Sequence, residues 1–142
     1  MIPVPVHTEN SEMPAYARPG DAGADLCAAQ DVELGPFERA LIPTGVYAAI
    51  PQGYAGFVLP RSGLALHQGL ALVNSPGLID SNYRGEIQLV AINLDRQESI
   101  VLQKGERVAQ LVILRVEQAD FLRSARLSDT ARGAHGFGSS GR

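Results

Sequence analysis

The chain is poor in several residue types, and each shortage closes off a class of function. Cys27 is the only cysteine among 142 residues. No internal disulfide can form, which favours a reducing compartment, so a cytoplasmic protein is expected. Lys104 is the only lysine, and it follows no glycine-rich phosphate loop of the Walker type. His7, His67 and His135 are scattered, so the spacing of a zinc site is missing. There is no basic surplus: 12 Lys and Arg face 15 Asp and Glu, a formal charge of −3. A nucleic-acid polymer is not the expected partner, because such binders carry a basic patch or a high pI. A small anionic ligand stays open, since a few arginines at one place override the average. No apolar run is long enough to cross a membrane, and Met1–Asn10 has neither the basic start nor the apolar core of a signal peptide. No internal repeat is visible, and no segment holds a 3.6-residue period over helix length.

What the chain does have is an ordinary globular balance, 45% apolar and 19% charged. Its length fits one domain, and a chain near 150 residues buries about 68% of its unfolded surface. Short apolar segments alternate with Pro and Gly breakers. Strands are predicted at Val32–Leu34, Ala40–Ile42, Val46–Ile50, Ala55–Leu59, Leu70–Val73, Ile87–Leu94, Ile100–Leu102 and Val108–Val116. Gly35-Pro36, Pro43, Pro51-Gln52-Gly53, Pro76-Gly77 and Lys104-Gly105 separate them. Many short strands with regular turn signals predict an all-β sandwich or barrel. One short helix is expected, with Ser62 as N-cap, Leu64–Gln68 as its body and Gly69 at its end. Composition divides the chain into a β domain, 1–123, and an arm, 124–142. The arm is rich in Gly, Ser, Ala and Arg and too poor in large apolar groups to hold a core.

The densest cluster of chemical groups runs from Asn74 to Glu86, a turn-rich loop read as leading into the strand at Ile87. It gathers Asp80, Tyr83 and Arg84 in one bend. Ordering such a bend costs backbone freedom, so its side chains have work to do. Asp80 and Tyr83 are read as facing a nucleotide sugar and a water that attacks its phosphate. Arg61-Ser62-Gly63 stands at a helix start and fits either an anion cradle or a capped surface helix. Asp25, beside Gly23, is either a turn aspartate with a local hydrogen bond or a group that orients metal-bound water. Gln110 is a phosphate donor or a plain polar strand position, and Arg107 is expected to pair with a carboxylate. The arm contains G-x-G-x-x-G at Gly136, Gly138 and Gly141, but no helix follows for it to open. It reads instead as a phosphate wrap, with Arg132, Gly138, Ser139 and Ser140 around the anion and Phe137 stacked on a base, or else as a loose terminus. A metal, if present, should be a hard cation held by carboxylate, water and phosphate, hence Mg²⁺.

Taken together and in order, these segments resemble the trimeric dUTP diphosphatase (dUTPase) family. The motifs are Ala22-Gly23-Ala24-Asp25-Leu26, Pro60-Arg61-Ser62-Gly63-Leu64, Gly77-Leu78-Ile79-Asp80 with Tyr83-Arg84-Gly85, Gly105-Glu106-Arg107-Val108-Ala109-Gln110-Leu111, and Arg132-Gly133 with Gly136-Phe137-Gly138-Ser139-Ser140-Gly141. The departures are small: Ala24 stands where a bulkier residue is frequent, and Ser140 where Thr is common. The resemblance implies a distorted jelly-roll β fold with one short helix and a flexible glycine-rich C-terminal tail. It implies a homotrimer with three shared sites, and Mg²⁺-assisted hydrolysis of dUTP to dUMP and pyrophosphate. That reaction keeps uracil out of DNA and supplies dUMP for thymidylate synthesis. Asp80 would activate the water. Arg61, Ser62, Gly63, Gln110 and Arg132 would hold phosphate oxygens, and Asp25 would reach the metal through water. Asn74 and the backbone of Leu78 and Ile79 would read uracil, and Tyr83 would pack on the deoxyribose. A dCTP deaminase shares the fold and part of these motifs, but generally lacks the glycine-rich arm. A non-enzymatic jelly roll is the third reading.

Overall fold

A computed structural model describes residues 1–136 of the chain. Ten strands and one helix follow in order: β1 (Val6–Thr8), β2 (Ala24–Cys27), β3 (Val32–Leu34), β4 (Arg39–Ala48), β5 (Tyr54–Pro60), α1 (Ser62–Gln68), β6 (Leu70–Leu72), β7 (Gly77–Ile79), β8 (Glu86–Asn93), β9 (Ile100–Leu102) and β10 (Arg107–Arg115). They form two four-stranded sheets, ordered β1-β4-β8-β6 and β2-β10-β5-β7, and a two-stranded sheet of β3 with β9. All the pairings are antiparallel. The expected all-β sandwich with one short helix is what forms. Among the described residues no helix is long and apolar enough to cross a membrane.

Alternation builds the core. Along β8, Ile87, Leu89, Ala91 and Asn93 are buried in turn, while Gln88 between them is exposed. Ile87, Leu89 and Ala91 share one core with Leu26, Val58, Val108 and Leu111 of the other sheet. Leu34, Ile100 and Leu102 of the small sheet join the same core. Each fully buried side chain of this size is worth about 1.5–3 kcal/mol.

Three features differ from the sequence expectation. Pro43 does not separate two strands: Ala40–Ile42 and most of Val46–Ile50 lie in the single strand β4. Proline has no N–H to give, and it falls where the β4–β8 register shifts, between Pro43 and Tyr47. Gly45 (φ +64°) carries the chain through that irregularity, where a side chain would run into the Glu9 carbonyl. Buried Thr44 fastens it by donating to the Ile87 carbonyl at 2.5 Å. Secondly, β1, β2 and β7 are strands that turn-like residues concealed, so Gly77–Ile79 is strand and not loop. Thirdly, Arg61 and not Ser62 is the N-cap of α1, and no side chain caps it. Strand β5 runs through Pro60, and Arg61 keeps extended backbone (φ −85°, ψ 128°), so the helix begins at Ser62 itself. Gly69 ends it in the left-handed region, as expected.

Asn93 closes the inner face of β8 although it is polar. Its amide nitrogen donates to the Leu34 carbonyl (3.0 Å) and the Glu98 carbonyl (2.8 Å), and its oxygen accepts from the Asp95 amide (2.8 Å). Asp95 in turn accepts from the amides of Glu98 and Gln97, which hold its carboxyl below the usual aspartate range. Replacing Asn93 by Leu leaves three buried or half-buried backbone groups without partners. We expect Asn93→Leu to lose about 3 kcal/mol, read as a lower urea midpoint at an unchanged slope.

Candidate active site

Two groups of functional side chains are placed by β5, one at each end. At its C-terminal end, Arg61 follows the strand directly, and β10 and β2 pair alongside in register: Gln110 lies opposite Leu59 on one side and Asp25 on the other. Asp25 is therefore a strand residue, not a turn aspartate. Its carboxylate is nearly enclosed, and Arg61 Nε lies 3.3 Å from Oδ1 while Arg107 Nη1 lies 3.4 Å from Oδ2. Arg61 also donates to the Arg107 carbonyl at 3.1 Å. The expected carboxylate partner of Arg107 is thus Asp25. Gln110 is set close against the neighbouring backbone, because a Cβ on Gly23 would come within 2.9 Å of its own Cβ.

These residues line a cleft of about 600 Å³. Arg18 and Asp21, which the sequence reading did not single out, line it as well. They sit on a turn closed by the Asp21 amide on the Arg18 carbonyl (3.2 Å) and the Arg18 amide on the Asp21 carboxylate (2.8 Å). Pro19-Gly20 between them was the only signal available. Three arginines against two aspartates make the cleft locally positive on a chain of negative charge. Beside it, the first amides of α1, those of Ser62 and Gly63, have no helical carbonyl to bind. A side chain at Gly63 would meet nothing within 4 Å, so open space lies in front of it.

At the other end of β5 stands the turn that carries Asp80 and Tyr83. Strand β7 pairs Ile79 with Gly56 and Leu78 with Phe57, and it is the edge of its sheet. An edge strand has alternate backbone N–H and C=O groups free on its outer side. Asn74 lies at the entry to β7, its side-chain nitrogen near Gly77, and the Ser75–Pro76 peptide is cis. After Ile79 the chain turns, with the Tyr83 amide donating to the Asp80 carbonyl at 3.1 Å. Arg84 clasps the turn by donating to the carbonyls of Ser81 (2.8 Å) and Tyr83 (2.6 Å). The Tyr83 hydroxyl donates to the Glu86 carbonyl at 2.9 Å, and the residue stays 43% exposed. A cleft of about 1040 Å³ runs between this turn, at Asp80, and Tyr54, Ala55 and Val116.

The two groups do not meet within one chain. Asp80 is level with Ala55, and Arg61 is six residues further along β5, about 20 Å at the rise of a strand. Arg132 is in neither cleft: it lies in the exposed arm, its Nε donating to the His135 carbonyl at 2.9 Å. Phe137, Gly138, Ser139 and Ser140 lie outside the described residues. Cys27 is half-buried, and burial, with Asp25 beside it, pushes its thiol pKa up, the opposite of an activated nucleophile.

No three His, Cys, Asp or Glu side chains converge on a metal position among the described residues. Asp25 Oδ1 is nonetheless buried without a hydrogen bond, because Arg61 Nε is near enough to attract it but is not aligned to donate. One carboxylate oxygen with spare capacity suits a Mg²⁺ ion that draws its ligands from water and phosphate, not a cation caged by protein.

Comparison with known proteins agrees along the chain. The dUTPase family model matches residues 9–141. The deoxyuridine 5'-triphosphate nucleotidohydrolase of Thermobifida fusca is 56% identical over 129 residues, 91% of this chain and 72% of the relative. That of Cutibacterium acnes is 51% identical over 140 residues, 99% of this chain and 92% of the relative. Among solved structures, the dUTPase of Staphylococcus bacteriophage 80alpha with dUPNHPP superposes with a TM-score of 0.88 at 30% identity, covering all of both chains. A mutant dUTPase of phage phi11 of S. aureus, solved for its coordination of a structural Mg(II) ion, gives 0.83 at 26% identity over 90% of this chain and all of that one. With this extent of match and the same ordered motifs on a β sandwich, the chain belongs to the dUTPase family.

Proposed function

We propose that the protein hydrolyses dUTP to dUMP and pyrophosphate in a homotrimer whose sites are each shared between chains. The observation that carries the shared site is the gap of about 20 Å between Asp80 and Arg61 along β5. That exceeds the combined reach of the two side chains and supports a site completed by a second copy, which would bring its Asp80 turn to this chain's Arg61 cleft. The segment after β10 supports the same reading: Phe121, Leu122 and Leu127 are all at least 80% exposed in the single chain, apolar surface that a neighbouring copy would cover.

In such a site Arg61, Gln110 and the amides of Ser62 and Gly63 hold phosphate oxygens, with Arg132 arriving on the arm (124–142) of another copy. Arginine suits this by its planar fork of donors. Asp80 orients a water and takes its proton as the water oxygen bonds to the α-phosphorus. The bond from that phosphorus to the bridging oxygen breaks, and pyrophosphate leaves with the electron pair. A free aspartate is a weak base at neutral pH, so its contribution is mainly placement. Mg²⁺, reached by Asp25 through water, would neutralise phosphate charge. Uracil is read by the free outer edge of β7 at Leu78 and Ile79, with Asn74. Its donor between two carbonyls fits that edge, whereas cytosine would set donor against donor. The Tyr83 ring packs on the deoxyribose where a ribose carries its 2′-hydroxyl. Phe137, Gly138, Ser139 and Ser140, which lie outside the described residues, are assigned to base and phosphates by the family motif alone. A cytoplasmic location belongs to the same proposal and rests on the lone cysteine.

Product analysis with dUTP, dCTP, dTTP and UTP side by side, in Mg²⁺, tests the activity. Pyrophosphate and dUMP are expected from dUTP, with little turnover of the other three. Ammonia from dCTP would move the chain to the deaminase chemistry of the same fold. Intact dUTP would overturn the proposal.

A further inference from the structure

We infer that Gly85 is a positioning residue that sets the discrimination against ribonucleotides by fixing where the Tyr83 ring stands. This rests on the dUTP reading above and deepens it. Gly85 is not among the glycines with positive φ, so its backbone does not demand glycine. What demands it is the hydroxyl end of the ring: a Cβ at position 85 would run into the Tyr83 hydroxyl and lie 2.6 Å from Cζ and 3.0 Å from Cε2. The ring thus lies directly across the bare Gly85 backbone, and its hydroxyl reaches over to the carbonyl of Glu86, the first residue of β8. From the other side, Arg84 holds the carbonyls of Ser81 and Tyr83. The ring is thus anchored at its hydroxyl and carried on a turn that Arg84 holds before any nucleotide arrives, with 43% of the residue still exposed.

Pinning matters because ribose and deoxyribose differ by one hydroxyl. A yielding apolar surface rejects an added hydroxyl by only about a hundredfold. A ring that cannot retreat adds steric exclusion to that figure, because shape rather than polarity then decides. A methyl at position 85 removes the bed on which the ring lies. The ring is the end of a side chain and can swing, so the fold survives while the wall moves.

The test measures kcat/KM for dUTP and UTP, and the urea midpoint, on the wild type, Gly85→Ala, Tyr83→Phe, Tyr83→Ala and the double variant Gly85→Ala with Tyr83→Ala. Gly85→Ala should lower the dUTP preference by about tenfold or more, the scale of a displaced contact and a lost hydrogen bond. Tyr83→Phe, which keeps the ring and drops only its anchor, should lower it several-fold. In the Tyr83→Ala background the same Gly85→Ala change should leave the preference unaltered, since no ring remains to displace, and shift the midpoint only by the small entropic effect of a glycine-to-alanine change. Unchanged preference in both Gly85→Ala and Tyr83→Phe would overturn the inference while leaving dUTP hydrolysis intact. So would an equal effect of Gly85→Ala with and without the ring. A wild type that leaves dUTP whole removes the proposed function itself, a result distinct from either.

Discussion

Asp80→Asn should bind dUTP with little change yet turn it over about a thousandfold more slowly, within the range that a positioned general base contributes. The two side chains are nearly the same size, and the turn around position 80 is closed by backbone and by Arg84, not by the carboxylate. The variant therefore keeps the place of the side chain and loses its charge and its capacity to take a proton. That separates chemistry from binding: kcat falls while affinity for a non-hydrolysable analogue stays within a few-fold. Single-turnover rates at saturating dUTP, with analogue titration alongside, read both quantities. Turnover near that of the wild type would take the water-activating role away from Asp80. Equal losses in rate and affinity would point to a damaged turn instead.

How far the sequence could be read depended on which physical rule decided each element. β3 and β9 have the predicted bounds, and β8 and β10 begin and end one residue earlier than read, because apolar alternation between clear breakers leaves little choice. A proline normally ends a ladder, so the sequence predicts two strands where β4 is one. Here Pro43 sits at a register shift that Thr44 and Gly45 secure by contacts to residues distant in sequence. Pro76-Gly77 signals a turn, so the sequence predicts a loop at β7, yet pairing with β5 makes three residues a strand. The same division holds at the site. Asp80 and Tyr83 lie on one short turn, so their association was legible. Asp25, Arg61 and Gln110 come from three segments, and only strand register makes them neighbours. The motif order of a known family supplied that connection, whereas Arg18 and Asp21 stayed unseen because a turn beside Pro19-Gly20 carries no chemical signal of its own. The separation of the two halves could not be read from residues at all, since it depends on pairing Ile79 with Gly56 and not with a residue nearer Arg61.

That separation gives the second large effect. Asp80→Asn lacks the water-activating carboxylate and keeps an intact phosphate cleft, while Arg61→Gln carries the reverse. Each alone should be nearly inactive. Mixed in equal amounts, unfolded in urea and refolded together, they should regain about a quarter of wild-type activity. In a symmetric ring assembled at random, a shared site takes its turn from an Arg61→Gln chain half the time and its cleft from an Asp80→Asn chain half the time. Both conditions together hold for about one site in four. Chains refolded separately and then combined should regain nothing until subunits exchange, which controls for mere mixing. A site built inside one chain makes the opposite prediction, because every chain in the mixture then holds one spoiled half and no pairing repairs it. Recovery therefore tests the geometry along β5 directly, and its absence in properly refolded, trimeric mixtures would show that the Asp80 turn and the Arg61 cleft belong to the same subunit's site.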